Sequence, residues 1–382
     1  MKNIPLSIPN FNGNEKKYVL DAVEAGWVST GGAYITKFEE DISKYLKTEM
    51  AVACQSGTAA IHLAMILAGV EKDTHVIAPT LTFIAAVNPI KYCGAEPIFM
   101  DSNDSLCMDI IKLEAFLENE CEKREEGLFF IKTGKRISAI ITVHIFGNMT
   151  DMESLMKLSE EYEIPVIEDA TEALGSYYLS GEYKGKYAGT IADFGCYSFN
   201  GNKIITTGGG GMLVAKDIHM AKKAKFLSTQ AKTDELFYIH DEIGYNYRMT
   251  NLQAALGCAQ LEQLERFIRV KERNYYRYKD TIDKINGLRL MEYRQDIRPN
   301  YWFYSLYIEK EYKRDRDEMM YYLKQHNIQT RPIWDLIHKQ KPYMNCFTYD
   351  LETSYELQER ILNIPCSSNL SEDDTDIVLS YL

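Results

Sequence analysis

The feature that most constrains the fold is an alternation of short apolar runs with helical segments along the first half of the chain. Apolar runs bounded by polar residues are typical of parallel strands covered on both faces. The alternation therefore predicts an α/β fold. We expect strands at residues 51–54, 75–79, 96–100, 137–143, 165–170, 194–199 and 212–215, and helices at 14–25, 58–67, 83–92, 110–117, 152–162, 218–227 and, as one long element, 252–278.

The pattern changes near residue 287, where strands such as 302–308 alternate with short helices. This change predicts a large domain over residues 1–286 and a small C-terminal α+β domain over residues 287–382. The polar segment 119–136 is expected to form a surface hairpin or loop.

Composition excludes several classes of protein. The formal net charge of −12 over 382 residues argues against a nucleic-acid-binding surface. The eight cysteines lack Cys-x-x-Cys spacing, so neither a metal site nor a disulfide framework is predicted. The N-terminus has no apolar signal region and no run approaches membrane-spanning length. A cytoplasmic protein without membrane contact is therefore expected.

Lys203 lies between a predicted strand and the glycine-rich turn 206–211. A lysine at the mouth of a sheet can act as a Schiff-base nucleophile once its ammonium loses its proton. On its own, the same pattern also fits an ordinary surface loop.

Asp169 follows the apolar run Val166-Ile167 at the end of a predicted buried strand. Ligands of open α/β sheets bind outside the carboxyl ends of the strands, where Asp169 is expected. A carboxylate and a lysine there are the two groups that pyridoxal phosphate needs, for its ring nitrogen and its aldehyde. The alternative for Asp169 is a helix N-cap, and its neighbour Glu168 is interpreted as structural.

A third segment supplies donors for a phosphate. Strand 51–54, the turn Ser56-Gly57-Thr58 and the helix after it form a unit that aims backbone N–H groups at an anion. Most such turns only cap a helix. The three signals together, in this order, favour a pyridoxal phosphate site.

With these segments in place, the chain resembles the DegT/StrS-type nucleotide-sugar aminotransferases nearly end to end. The motifs that carry the resemblance are Trp27-Val28-Ser29-Thr30-Gly31, Ser56-Gly57-Thr58, Pro79-Thr80-Leu81-Thr82-Phe83, Val143-His144-Ile145-Phe146-Gly147, Glu168-Asp169-Ala170, Ser198 with Lys203, Gly244-Tyr245-Asn246-Tyr247-Arg248-Met249-Thr250-Asn251, Arg331-Pro332 and Ile364-Pro365-Cys366. The resemblance implies an aspartate-aminotransferase-like fold, fold type I of the pyridoxal phosphate enzymes, with a mostly parallel central sheet.

The resemblance also implies roles for individual residues. Lys203 and Asp169 would be catalytic, the lysine holding the cofactor covalently and moving a proton, the aspartate pairing with the ring nitrogen. Phe83 would stack on the ring, although core packing is an alternative for it. The residues implied to hold the phosphate are Gly57, Thr58, Ser198 and, from the neighbouring subunit, Asn246. That last role implies a homodimer with shared active sites.

Other polar residues are harder to assign. Glu172 would face the ring edge near the phenolic oxygen, and it must then be protonated, bridged by water or turned away. Arg331 is expected to bind the amino donor's carboxylate or the nucleotide diphosphate, and Arg248 either substrate or the subunit interface. His144 and His240 are expected to be satisfied structural imidazoles.

Within the family, the chain is most similar to enzymes of legionaminic acid and bacillosamine-type pathways of bacterial surface glycans. The implied reaction moves the amino group of L-glutamate to C4 of a nucleotide-linked 4-keto-6-deoxy sugar, with a UDP sugar bearing a 2-acetamido group first and GDP or dTDP sugars as alternatives. Relatives that dehydrate sugars carry histidine at the lysine position, so Lys203 argues against that branch. A cofactor-binding regulator is the remaining alternative, but no basic helical DNA-binding segment is visible.

Overall fold

The computed structural model describes residues 2–234 and 236–382. Its helices are α1 (Glu15–Glu24), α2 (Ala33–Leu46), α3 (Gly57–Leu67), α4 (Asn88–Tyr92), α5 (Ile110–Glu120), α6 (Met152–Tyr162), α7 (Ile218–Ser228), α8 (Asn251–Leu261), α9 (Leu264–Ile282), α10 (Arg316–Gln325), α11 (Glu352–Arg360) and α12 (Glu372–Leu379). Short 3₁₀ turns lie at Ile84–Ala86, Ile145–Gly147 and Ile337–Lys339.

The strands include most of the runs expected from the sequence. They are β1 (Ala51–Cys54), β2 (His75–Pro79), β3 (Glu96–Met100), β4 (Cys121–Arg124), β5 (Gly127–Phe130), β6 (Lys135–Val143), β7 (Val166–Asp169), β8 (Tyr177–Tyr178), β9 (Phe194–Ser198), β10 (Gly211–Ala215), β11 (Lys232–Asp234), β12 (Ile239–His240), β13 (Leu288–Leu290), β14 (Ile297–Arg298), β15 (Tyr304–Ile308), β16 (Arg331–Pro332), β17 (Phe347–Tyr349) and β18 (Ile361–Ile364). The hairpin expected within 119–136 is confirmed as β4 and β5.

The large sheet has the strand order β1-β10-β9-β7-β6-β2-β3-β17, with the β4–β5 hairpin beside β6. Neighbours from β9 through β17 pair in parallel, whereas β10 runs antiparallel to both β9 and β1. The mostly parallel sheet and its flanking helices confirm the predicted α/β fold.

The sheet register explains why distant segments meet. Cys54 of β1 pairs with Gly211, and Gly211 pairs with Ser198 at the end of β9. Asp169 ends β7 beside β9. Because β1, β7 and β9 run in the same direction, their carboxyl ends share one edge of the sheet, which is where ligands bind in this type of fold.

A second, four-stranded sheet has the order β13-β15-β18-β16 and lies in the C-terminal part of the chain. The division at residues 286 and 287 stays a prediction. Strand β17 returns from that part to pair with β3 in the large sheet. Strand β14 pairs with β8, and near the N-terminus Ile4 pairs with Ile328, so strand pairing crosses the predicted division at three places.

Three element predictions were wrong in detail. The long helix predicted at 252–278 is interrupted at Glu262 and Gln263, because α8 packs against α1 and α2 whereas α9 packs against β13 and α12. The helix predicted at 83–92 is a 3₁₀ turn followed by α4, which has a proline in its first turn. The strand predicted at 302–308 begins at Tyr304.

Residues 2–234 and 236–382 contain no helix that is both long and apolar enough to cross a bilayer. They also contain no cluster of three or more histidine, cysteine or acidic side chains arranged to hold a metal ion.

Candidate active site

A cavity of about 330 Å³ opens at the shared carboxyl edge of β1, β7 and β9. Seven of the residues predicted from the sequence line it, namely Gly57, Thr58, Phe83, Asp169, Glu172, Ser198 and Lys203. The structure therefore brings together the lysine, the acids and the turn predicted to bind phosphate, which lie far apart along the chain.

Lys203 lies in the loop after β9, with its side chain only 12% exposed. Its Nζ is 3.6 Å from Glu172 Oε1 and 4.1 Å from the centre of the Trp302 ring. The ammonium is thus placed between a carboxylate and an aromatic face, both of which attract a cation.

Glu172 is almost fully buried beside Lys203. Its Oε2 accepts the backbone N–H of Phe146 at 2.9 Å. Burial is the main cause that raises the pKa of Glu172 to about 7, and the nearby Lys203 charge opposes this effect. The Glu172 side chain therefore faces Lys203 across the cavity, and its protonation state beside the cofactor stays a prediction.

Asp169 is 3% exposed and ends β7. Its Oδ1 accepts the backbone N–H of Thr171 at 3.0 Å. Burial raises the pKa of Asp169 because the charged form has lost water, while Thr171 and Lys203 act in the opposite direction. A cation placed in the cavity beside this carboxyl would favour its ionised form.

The turn between β1 and α3 lies very close to Ser198 and to the start of β10. Ser56 caps α3 by accepting the N–H of Ala59 at 3.1 Å, which leaves the N–H groups of Gly57 and Thr58 at the start of the helix. A Cβ added at Gly57 would lie 2.9 Å from Ser198 Cβ, and one at Gly211 would lie 2.4 Å from the Ser56 backbone. The glycines thus let the ends of β1 and β9 and the N-terminus of α3 approach one another closely beside the cavity.

His144 and Glu168 form a buried structural pair, as expected. His144 Nε2 is 2.8 Å from Glu168 Oε2, and His144 Nδ1 accepts the backbone N–H of Thr150 at 3.2 Å. The Thr150 contact makes Nε2 the protonated nitrogen of a neutral ring, so Nε2 donates to Glu168. Glu168 also accepts backbone N–H groups of Gly189, Ile191 and Ala192 at 2.7–2.8 Å.

Four other residues singled out from the sequence lie outside the cavity. Asn246 and Arg331 are exposed, and Arg331 Nη1 donates to the carbonyl oxygen of Thr330. Arg248 is half-buried and its Nη2 lies 3.4 Å from Gln230 Oε1. His240 is exposed in β12, with Nδ1 2.7 Å from the Gln230 carbonyl. Within one subunit, none of the four lines the cavity with Lys203.

Sequence reasoning missed the aromatic wall of the cavity. Trp302, Phe303 and Trp334 line it from the C-terminal part of the chain. The Trp302 and Phe303 rings stack with centres 4.1 Å apart, and Phe146 lies 4.9 Å from Trp334. The density of aromatic residues at 301–304 was the available signal, but interpreting 302–308 as a strand hid it.

The residues of the cavity fit pyridoxal phosphate. The cofactor requires an amine for its aldehyde, an acid for its ring nitrogen and donors for its phosphate. Lys203, Asp169 and the Gly57–Thr58 turn with Ser198 provide these three kinds of group around a space of suitable size. The fold and the site together define a pyridoxal-phosphate-dependent enzyme of fold type I.

The comparisons with known proteins identify the family. The model of the DegT/DnrJ/EryC1/StrS aminotransferase family matches residues 9–382. The chain is 36% identical to a GDP-perosamine synthase of Escherichia coli O157:H7, covering 98% of this chain and 96% of that protein. It is 32% identical to the UDP-4-amino-4,6-dideoxy-N-acetyl-beta-L-altrosamine transaminase of Campylobacter jejuni, covering 74% and 73%.

The crystal structure of a DegT DnrJ EryC1 StrS aminotransferase from Brucella abortus superposes with a TM-score of 0.86, at 25% identity over 96% of this chain and 94% of that one. The chain belongs to the DegT/DnrJ/EryC1/StrS aminotransferase family. It is a pyridoxal-phosphate-dependent nucleotide-sugar aminotransferase.

Proposed function

We propose that the enzyme transfers the amino group of L-glutamate to the C4 ketone of a nucleotide-linked 4-keto-6-deoxy sugar. The observation that supports this proposal is the placement of Lys203, Asp169, Glu172 and the anion-binding turn around one cavity. When bound, pyridoxal phosphate supplies an aldehyde that takes up the amino group and a ring that accepts electrons.

In this proposal Lys203 does two tasks. Its amine holds the cofactor covalently until the amino donor arrives, and its Nζ then moves a proton to and from the reacting carbons of donor and sugar. Asp169 keeps the ring nitrogen protonated, because its buried carboxyl gains a cationic partner there. Gly57, Thr58 and Ser198 hold the phosphate, and Phe83, half exposed at the rim, covers the ring.

Glu172 assists Lys203 in the proposed reaction. Its distance of 3.6 Å lets it stabilise the ammonium when Lys203 carries a proton. Its pKa of about 7 lets it become neutral when a negative oxygen approaches. The Phe146 N–H holds one oxygen in place, so the other faces the cavity.

We further propose a homodimer in which Asn246 of each subunit completes the phosphate site of the other. In support, Asn246 is exposed and lies outside its own cavity. Neighbouring apolar side chains are also exposed to an extent unusual for a free surface, with Leu236 at 77%, Phe237 at 73% and Ile243 at 86%. A partner subunit would cover them.

For the nucleotide, the relatives favour testing GDP first. Similarity to a GDP-perosamine synthase extends over 98% of the chain, whereas similarity to the UDP-sugar transaminase covers 74%. A UDP-linked 2-acetamido-4-keto-6-deoxy sugar, as in legionaminic acid and bacillosamine pathways, is the second substrate to test. Arg331 and Arg248 remain the proposed ligands for the donor carboxylate or the diphosphate.

The test is amino transfer with L-glutamate and each of the two 4-keto-6-deoxy sugar nucleotides, followed by mass spectrometry of the sugar nucleotide. We expect conversion of one of them to the 4-amino sugar by the wild-type enzyme and none by Lys203→Ala. Retained conversion by Lys203→Ala would contradict the role of Lys203. Cofactor binding without transfer to either sugar would contradict the GDP-linked and UDP-linked substrates proposed here.

A further inference from the structure

Trp302 is held over Lys203 by contacts from several parts of the chain. Its ring centre is 4.1 Å from Lys203 Nζ, and the residue is only 2% exposed. The indole Nε1–H donates to the carbonyl oxygen of Asn202 at 2.7 Å, next to Lys203 itself. The backbone N–H of Trp302 donates to Asn300 Oδ1 at 2.9 Å. These bonds fix the ring to the loop that carries the lysine.

The backbone carbonyl oxygen of Trp302 accepts a hydrogen bond from a buried lysine, Lys271. Lys271, which is 3% exposed on α9, donates from Nζ to the carbonyl oxygen of Trp302 at 3.0 Å. The same Nζ donates to the carbonyl oxygen of Cys366, two residues after the end of β18. Its Nζ lies 5.5 Å from the Tyr304 ring. Lys271 therefore links α9, the backbone at Trp302 and the segment after β18 of the four-stranded sheet through one ammonium group.

The partners of Lys271 are unusual for a buried lysine. Across the part of the chain that the structure describes, no carboxylate pairs with it. Burial lowers the pKa of Lys271, as expected for an ammonium without a counter-charge. A buried charge is costly unless its hydrogen bonds are made, and here the acceptors are two backbone carbonyl groups. A residue needed only for packing could have been apolar at this position.

We propose that Lys271 is a positioning residue for Lys203 and acts through Trp302. By fixing the Trp302 carbonyl, Lys271 keeps the indole face against Lys203 Nζ when the lysine is not bonded to the cofactor. The indole face attracts the ammonium and, with Glu172, holds Nζ at the place where it must move a proton. The inference rests on the proposed role of Lys203 and extends it to a residue that does not touch the cavity.

The experiment compares the holoenzyme with Lys271→Met, Trp302→Leu and the control Lys279→Met. Methionine keeps most of the length and apolar character of lysine but removes the donors. Lys279 lies on the same helix, is partly exposed and pairs with Asp283 and Glu292, away from Trp302. Two quantities are measured, the circular dichroism of the cofactor absorption band and the single-turnover rate of its conversion by L-glutamate at increasing glutamate concentration.

For Lys271→Met and Trp302→Leu we expect a changed dichroic band and a limiting rate lowered by roughly ten-fold or more, since small displacements of a reacting group have effects of that size. For Lys271→Met the half-saturating glutamate concentration should stay within about two-fold, because Lys271 does not line the cavity. Lys279→Met should match the wild type in both quantities. If the substitutions only disturbed folding, the cofactor content would fall, but the dichroic band and the limiting rate of the remaining holoenzyme would not change in this way.

If Lys271→Met does not fold, Trp302→Phe takes its place. That variant keeps a ring but loses the indole donor to Asn202 and should show the same changes to a smaller degree. A folded Lys271→Met or Trp302→Phe enzyme with the wild-type band and rate would overturn the inference. A wild-type protein that binds no cofactor, or whose cofactor does not react with glutamate, would overturn the proposed function instead.

Discussion

Replacing Glu172 by glutamine is expected to change how the stability of the cofactor-free protein depends on pH. Burial raises the pKa of Glu172 from 4.5 to about 7 in the folded protein. In the unfolded chain the carboxyl ionises near its ordinary value. Between these two pH values the folded state therefore binds more protons at this position than the unfolded state, so the free energy of unfolding falls as pH rises.

The magnitude follows from the two pKa values. A rise from 4.5 to about 7 corresponds to about 3 kcal/mol of stability that is present below pH 4.5 and lost by pH 7. Glutamine has nearly the same shape and does not titrate. The free energy of unfolding of Glu172→Gln minus that of the wild type should therefore increase by about 3 kcal/mol across this window and stay level above it.

The assay is equilibrium urea unfolding of both cofactor-free proteins at a series of pH values from 4.5 to 8. Taking the difference between the two proteins removes the titration of other groups that are common to both. Glu125→Gln, in the exposed turn between β4 and β5, is the matched control, because it makes the same side-chain change away from the cavity. A constant difference for Glu172→Gln, or one that decreases as pH rises from 4.5 to 7, would refute the idea that burial outweighs the Lys203 charge.

Two further predictions concern the framework of the site. Gly57→Ala places a Cβ 2.9 Å from Ser198 Cβ, and an overpacking cost of about 1–3 kcal/mol should weaken pyridoxal phosphate binding roughly ten-fold or more in a fluorescence titration. Gly201→Ala, whose Cβ would meet nothing within 4 Å, should bind as the wild type does, and equal affinity of both variants would contradict this reasoning. Glu168→Ala leaves three buried backbone N–H groups and the His144 ring without their acceptor, so it should lower the free energy of unfolding by more than about 3 kcal/mol in chemical denaturation. A loss below about 1 kcal/mol would show that water replaces the carboxylate.

The sequence was most informative where local pattern and tertiary position agree. The apolar run before Asp169 and the turn at Gly57 each predict a strand end, and the parallel sheet brings strand ends to one edge. Knowing the direction of each strand was therefore enough to expect Asp169 and Gly57 at the same edge of the sheet. The family resemblance added Ser198, Phe83 and Glu172, which local patterns alone do not select.

What the sequence could not predict depends on packing between distant segments. Trp302 reaches the cavity because its loop is held by Asn300, Asn202 and Lys271, and none of these contacts has a local signature. The break between α8 and α9 likewise follows from their different packing partners, since helix propensity continues through Glu262. The charge state of Glu172 depends on its burial, which spacing along the chain does not reveal.

Borohydride reduction of the holoenzyme, followed by peptide mapping, shows whether Lys203 holds pyridoxal phosphate covalently. We expect a stable pyridoxyl group on Lys203, its absence in Lys203→Ala, and no label on Lys271, which is buried near Trp302. A label on another lysine of the wild-type enzyme, or no label on a protein that retains the cofactor, would contradict it.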